Sequence, residues 1–397
     1  MDSPGPATRE SSSWSGFAFD RREWSGAVAD LGVLVPITVA LIVSNGLAPT
    51  AVLLPPALLY LLSAFRYRLP VPVQPLKAFG AIAIAMGLGV DEIAAGAVMM
   101  GVIFVFLGMT GLLDRVALIF PRAVIRGVQI AVGLLFLKVA WGLVADPPSS
   151  FKVPDISTWW LVAAGLLVGI VAWVGRRRGT GLLVVVVGLV VATVTGWSDL
   201  GFGPSAVPLP VFSMEAFVAA STALVLPQVP LTFANSCLAP ADAARVYFGE
   251  EAARRVTPSR LASSLGAADL FAGAIGGMPV CHGAGGMTAH RSFGARTGGA
   301  PLIMGSVLLV LAVALGSGLA GVLSHFPVSV LAGLLAVAGL LHVALSRDLR
   351  ARSDWIVAVI VGVLGLVGQL ALGLVIGLGL AWVLDRLGGA VDAPRRP

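Results

Sequence analysis

Long apolar runs alternate with short polar joints almost from end to end, and this rhythm constrains the fold more than any single motif. About 20 apolar residues cross a bilayer as a helix. Runs of that kind lie near 27–44, 49–64, 92–110, 123–143, 158–174, 180–196, 214–237, 301–322 and 328–345. Weaker or broken runs lie near 71–89, 260–276, 279–295, 355–368 and 369–384. The pattern predicts an all-α polytopic membrane protein of about fourteen spans, the last pair being short. Composition agrees, since 57% of the 397 residues are hydrophobic and 12% charged. A soluble domain carries about 25% charged residues, so ordinary cytoplasmic domains are excluded.

The net charge of +6 does not mark a nucleic-acid binder, because Lys and Arg stand one to three at a time between apolar runs. Topology explains it better. With the amino end cytoplasmic, the inside loops of the first half receive Arg21, Arg22, Arg66, Arg68, Arg115, Arg122 and Arg176 to Arg178. Those of the second half receive Arg245, Arg254, Arg255, Arg260, Arg291, Arg296, Arg347, Arg350, Arg352 and Arg386. The outside loops hold Lys152 with Asp91, Glu92, Asp146 and Asp199. The positive-inside rule then predicts both termini on the cytoplasmic side of a cell (inner) membrane. Residues 1–25 are polar, do not read as a cleaved signal peptide, and are a candidate interfacial helix; 388–397 read as a short cytoplasmic tail. Cys237 and Cys281 lie in apolar surroundings and make no disulfide framework.

An internal repeat organises the chain. Pro36 and Pro227 are separated by the same interval as the two Leu-Ala-Pro triplets, Leu47–Pro49 and Leu238–Pro240. Further on, LPVPVQPLKAFGA (69–81) resembles GMPVCHGAGGMTA (277–289), the longer interval being taken up by an extra polar loop around 241–257. The halves are 26–200 and 213–387, each of about seven spans. An odd number turns the second copy upside down, which is a mark of secondary transporters.

Both Pro-Val elements break a helix inside the membrane. Pro70, Pro72 and Pro75 exclude a helix over 70–75 and leave extended chain, with a helix starting at about Pro75. Pro279 and the glycines Gly283, Gly285 and Gly286 do the same before a helix near 285–295. Extended backbone at membrane depth is tolerated where it is buried in protein or lines a cavity. Two half-helices aiming their amino ends at the midplane bring two positive dipole ends together, and their unpaired N–H groups suit an anion. An anionic substrate follows from this arrangement.

The candidate binding residues cluster around these breaks. Lys77 is a cation in an apolar stretch, either snorkelling to an interface or facing the bound anion. Gln74 either donates to substrate oxygens or ties down the loop. In LPQVPLTFANS (226–236), Gln228, Thr232 and Asn235 share one helix face and either contact substrate or join helices. Asp30, Asp269, His282 and, less favoured, His290 are the groups for carrying a proton, each with a structural hydrogen bond as the alternative. His282, next to the second break, also stands among the anion contacts; His325 and His342 read as peripheral. No metal site, cofactor site or catalytic set of residues is evident, so neither an enzyme nor a nucleotide-driven pump is expected.

EWSGAVADLGVLVP (23–36), PVPVQPLKAFGA (70–81), LPQVPLTFANS (226–236) and GGMPVCHGAGGMTAHRSFGARTGG (276–299) resemble the molybdate transporter branch of the sulfate permease superfamily. The resemblance runs from about residue 23 to the last span. It implies a core of spans 1–4 and 8–11, a gate of spans 5–7 and 12–14, and elevator-type uptake of a tetrahedral oxyanion, molybdate or sulfate, between the half-helices of spans 3 and 10. Gln74, Lys77, Gln228, His282 and the Gly283–Gly286 backbone map to that site by position. Typical sulfate permeases carry a STAS domain after the last span, whereas about a dozen residues follow Leu384 here. That departure fits the molybdate branch and leaves a homodimer only the gate spans to pack through. The rivals are a uracil or xanthine permease of related fold and a passive anion channel. The former usually has an acidic residue at the substrate in span eight, where Gln228 and Asn235 stand here and Glu215 lies at the outer end.

Overall fold

The computed structural model describes residues 17–28, 31–113, 121–175 and 180–386. Asp30, Arg115, Arg176 to Arg178, the tail 388–397 and most of the segment 1–25 lie outside these residues.

Helices occupy every one of the apolar runs. The first half holds α1 (Arg21–Ala27), α2 (Leu31–Val43), α3 (Pro49–Tyr67), α4 (Lys77–Met86) and α5 (Val90–Thr110), then α6 (Arg122–Ala145), α7 (Thr158–Val174) and α8 (Thr180–Thr195). The second opens with α9, a helical stretch over Met214–Phe248. It continues with α10 (Pro258–Ala274), α11 (Ala284–Ser292), α12 (Gly299–Ala314), α13 (Gly316–Ser324), α14 (Val328–Ala344), α15 (Arg352–Leu366) and α16 (Leu370–Arg386). Among the described residues, 6 helical stretches are long and apolar enough to cross a membrane, Arg21–Val43 and Val328–Asp348 each counting as one, or 7 with a bent pair counted as one span. The others have 17 residues or fewer. A 17-residue helix such as α7 is about 25 Å long, less than the ~30 Å hydrocarbon thickness. Extended chain takes up much of the runs around α4 and α11.

Two expectations are corrected here. The run 301–322 is not one straight helix: it turns by 94° between α12 and α13, where Leu315 leaves helical geometry before Gly316 and Gly318. A side chain on Gly316 would meet the Ser205 backbone at 2.9 Å, so the corner closes on glycine. In addition, the segment 241–257 is not simply a polar loop, because α9 runs through to Phe248. That helix absorbs Pro227 and Pro230 by widening to π turns at Ser221–Val225 and Phe233–Leu238, one of the recognised ways a helix relieves a local break.

The helices pack as two groups. In one, α5 lies on α10 and α3 on α12; in the other, α6 is flanked by α14 and α15, with α7 against α14. Close approach depends on glycine in both. A methyl on Gly101 of α5 would meet the Gly266 carbonyl of α10 at 2.9 Å, and one on Gly133 of α6 the Gly339 carbonyl of α14 at 2.6 Å. Small residues at such crossings let backbones touch, the usual basis of helix association where lipid removes the hydrophobic drive. Outward, α7 and α8 expose Leu166, Leu167, Ile170, Leu183 and Val190, a face suited to lipid rather than water.

One long-range cap closes the first group. Glu23 of α1, 2% exposed, accepts from the backbone N–H of Arg296 (2.8 Å), Thr297 (2.9 Å) and Ala300 (3.0 Å). Its carboxylate thereby satisfies the Ala300 amide, which the first turn of α12 leaves without a helical partner, and two amides of the joint just before that helix.

Candidate anion site

Two short strands put the breaks side by side. Gln74–Pro75 (β1) and Val280–Cys281 (β2) pair antiparallel, Gln74 opposite Cys281 and Pro75 opposite Val280. Leu76 N–H extends the ladder to the Pro279 carbonyl at 3.2 Å. Each strand runs directly into a half-helix, α4 at Lys77 and α11 at Ala284, slightly displaced from the starts near 75 and 285 expected from sequence. The capping positions, Leu76 and Gly283, supply no side-chain acceptor to the first turn.

An acceptor reaches α4 from elsewhere. Gln228 of α9 takes the Phe79 N–H on Oε1 at 2.9 Å and donates from Nε2 to Thr232 Oγ1 at 2.9 Å. A backbone N–H only donates, so this contact fixes which way the Gln228 amide points. Lys77 Nζ donates to Gln74 Oε1 at 2.8 Å. Gly283 lies against that pair: a methyl there would collide with Gln74 Oε1 and stand 3.7 Å from Lys77 Nζ.

A cavity of about 470 Å³ opens between the two helix groups at this point. Gln74, Lys77, Gln228, Asn235, Gly283 and Gly285 border it from one side, together with Gly32 and Pro36 of α2. Gln129 and Phe136 of α6 and Leu335, Ala338 and His342 of α14 border it from the other. Lys77 gives the lining a cation, and no Asp or Glu is among the described lining residues. The charge balance favours an anion and offers nothing to offset a second cation.

The remaining sequence candidates lie behind this lining. Thr232 is fully buried beneath Gln228. Gly286 is buried and not part of the lining. His282, fully buried, donates from Nδ1 to the Pro72 carbonyl at 2.9 Å, since a carbonyl can only accept, and Nε2 meets Ser264 Oγ at 2.9 Å. Both ring nitrogens brace the strands from the rear. Asp269, also fully buried, accepts the Val280 N–H on Oδ1 at 2.7 Å and holds β2 against α10. His290 is buried in α11; Asp30 lies outside the described residues.

His342 and Gln129 were not singled out as lining residues by sequence reasoning. His342, read as peripheral, borders the cavity from α14 together with Leu335 and Ala338. Gln129 was passed over, although a glutamine inside the apolar run of α6 is itself a signal. His325 does sit at the periphery: its Nε2 is 3.1 Å from Asp199 Oδ2, which also accepts from Lys152 Nζ at 2.7 Å. The Lys152 hydrogen bond, then that of His325, hold the Asp199 carboxyl below its ordinary range.

The fold and this cleft between two helix groups define an integral, multi-pass membrane transporter. The transmembrane domain of a cyanobacterial bicarbonate transporter, BicA, superposes with TM-score 0.64 at 17% identity, covering 91% of this chain and 96% of that one. Murine Slc26a9, an anion transporter solved in its inward-facing state, superposes with TM-score 0.67 at 15% identity, covering 96% and 74%. Sequence relatives are closer. Molybdate transporter 1 of Arabidopsis thaliana is 30% identical, covering 89% of this chain and 86% of the relative. Molybdate transporter 2 of the same plant is 27% identical over 91% and 86%. The family model described as "Molybdate transporter of MFS superfamily" matches residues 22–136 and 220–341. The chain belongs to that molybdate transporter family.

Proposed function

We propose that this protein is a secondary active importer of molybdate, held in the cavity between the amino ends of α4 and α11. The observation that carries the reading is the lining itself: two half-helix starts without side-chain caps of their own, one lysine, three glutamines and no described carboxylate. A tetrahedral dianion needs several donors and a compensating charge. Sulfate meets the same requirement, and the family relationship favours molybdate.

The architecture supports an inverted repeat of about seven plus seven spans. α3 and α10 occupy equivalent places in the two halves, as do α5 and α12. The contacts α3–α12 and α5–α10 are each other's image under exchange of halves, and so are α6–α15 and α14–α7. In this reading α2–α5 with α9–α12 form a core, α6–α8 with α14–α16 form a gate, and the core carries the anion past the gate with both termini cytoplasmic. A related nucleobase permease is disfavoured because no described carboxylate borders the site.

Uptake of labelled molybdate by proteoliposomes tests this, with sulfate, nitrate and uracil as competitors. The expected result is saturable, concentrative uptake that sulfate competes for and uracil does not. Non-saturating flux would mark a channel, and no molybdate or sulfate uptake would refute the proposal. Imposing a pH gradient tests proton coupling through Asp30, Asp269 or His282; uptake indifferent to it returns all three to structural roles.

A further inference from the structure

The wall of the cavity opposite Lys77 carries a polar device of its own. Arg126 of α6 donates from Nε to Asp348 Oδ1 at 2.9 Å and from Nη2 to Asp348 Oδ2, a forked pair just beyond the end of α14. Its remaining terminal nitrogen, Nη1, donates to Gln129 Oε1 at 2.7 Å. A guanidinium has donors only, so the Gln129 oxygen must face Arg126 and the amide nitrogen must point away from it. Gln129 is 1% exposed and borders the cavity, and its Nε2 has no hydrogen-bond partner. Native structures rarely leave a buried donor unmet. The other residues of this wall offer little competition: Phe136, Leu335 and Ala338 are apolar, and His342 Nδ1 is committed to the Ala338 carbonyl at 2.9 Å.

We propose that Gln129 is a specificity-determining donor to the transported oxyanion from the wall opposite Lys77, with Arg126 and Asp348 as the residues that position it. The inference rests on the anion-transport reading above and deepens it. An oxyanion cradled by the half-helices presents oxygens on its far side as well, and a turn of the Gln129 side chain, whose Nε2 is closed off from the cavity, brings that nitrogen to one of them. The anion is then recognised by both helix groups at once.

The test separates donating to the anion from merely accepting from Arg126. Gln129→Glu keeps the acceptor for Arg126 and removes the donor; Gln129→Met removes both at similar volume. The full chain is assayed in proteoliposomes for molybdate uptake and in detergent for thermal stabilisation by molybdate. Gln129→Glu is expected to raise the half-saturating molybdate concentration about tenfold or more, the scale of a hydrogen bond to a charged group, with the anion-free melting temperature unchanged. Gln129→Met shows a similar loss and serves if the Glu variant does not assemble. Arg126→Met frees the amide to turn and costs about threefold to tenfold, rising less than Gln129→Glu. Wild-type affinity in Gln129→Glu or Gln129→Met overturns the inference while leaving the transport function standing. A wild-type protein that responds to neither molybdate nor sulfate overturns the transport function and this inference with it.

Discussion

Gly283 is the residue on which the site geometry turns, because Gln74 packs where its side chain would be. Gly283→Ala is expected to push Gln74 aside and raise the half-saturating molybdate concentration about tenfold, the size of one charge-assisted hydrogen bond; unchanged uptake kinetics would count against the placement. Asp269 makes the opposite kind of prediction. Asp269→Leu strands the Val280 N–H and should destabilise by about 1–3 kcal/mol, whereas Asp269→Asn retains an acceptor and should melt near wild type, as followed by detergent thermal denaturation. Gln74, Lys77, Gln228 and Asn235 were legible in the sequence because each interrupts an apolar run beside a proline or glycine break. His282 was a harder case. Side chains alternate along an extended strand, so with Cys281 and Gly283 bordering the cavity the residue between them faces the rear. Gln129 and His342 were missed because no local break marks them, and only the packing of α6 and α14 decides which wall they join.

Among the elements, the proline-marked starts of α4 and α11 were readable to within a residue or two, since proline and glycine act through the local backbone. The bend between α12 and α13 was not, because an apolar run continues across it and the turn is made by close approach to the segment near Ser205. Nor was the unbroken course of α9, whose π turns depend on neighbours as much as on Pro227 and Pro230. The Lys152–Asp199–His325 cluster ties together the joints after α6, after α8 and after α13. Its carboxyl has a lowered folded value, so its contribution is complete above the ordinary carboxylate range, about 4, and is lost as pH falls through that lowered value. Asp199→Asn should therefore lower the melting temperature at neutral pH, and the difference from wild type should close on acidification. A pH-independent difference would assign the effect to something other than charge.

For the whole molecule, the proposed anion site lies at an interface between the two helix groups, and on that proposal binding should be felt on both sides of it. Hydrogen exchange in the presence of molybdate is expected to slow at amides 76–80 and 283–287 and in the inner turns of α6 and α14. The outward helices α7 and α8 should stay unaffected. Protection centred instead on the smaller cavity of about 200 Å³ beside Gly365 and Gln369 would move the site. The membrane class and the succession of apolar segments were plain from composition and spacing. Which helices touch was not, since glycine crossings such as Gly101 on Gly266 are written in no local pattern.

Glu23 carries a consequence for biosynthesis. It belongs to the first of the described helices, yet the amides it accepts from lie as far as 277 residues downstream. At translation rates of about 5–20 residues per second, roughly 14–55 s separate its emergence from theirs. Throughout that interval its carboxylate has to stay hydrated at the bilayer surface, or be shielded by insertion machinery, while the helices behind it enter the membrane. The first group of helices is therefore completed only late in synthesis, when the start of α12 arrives to take up the charge.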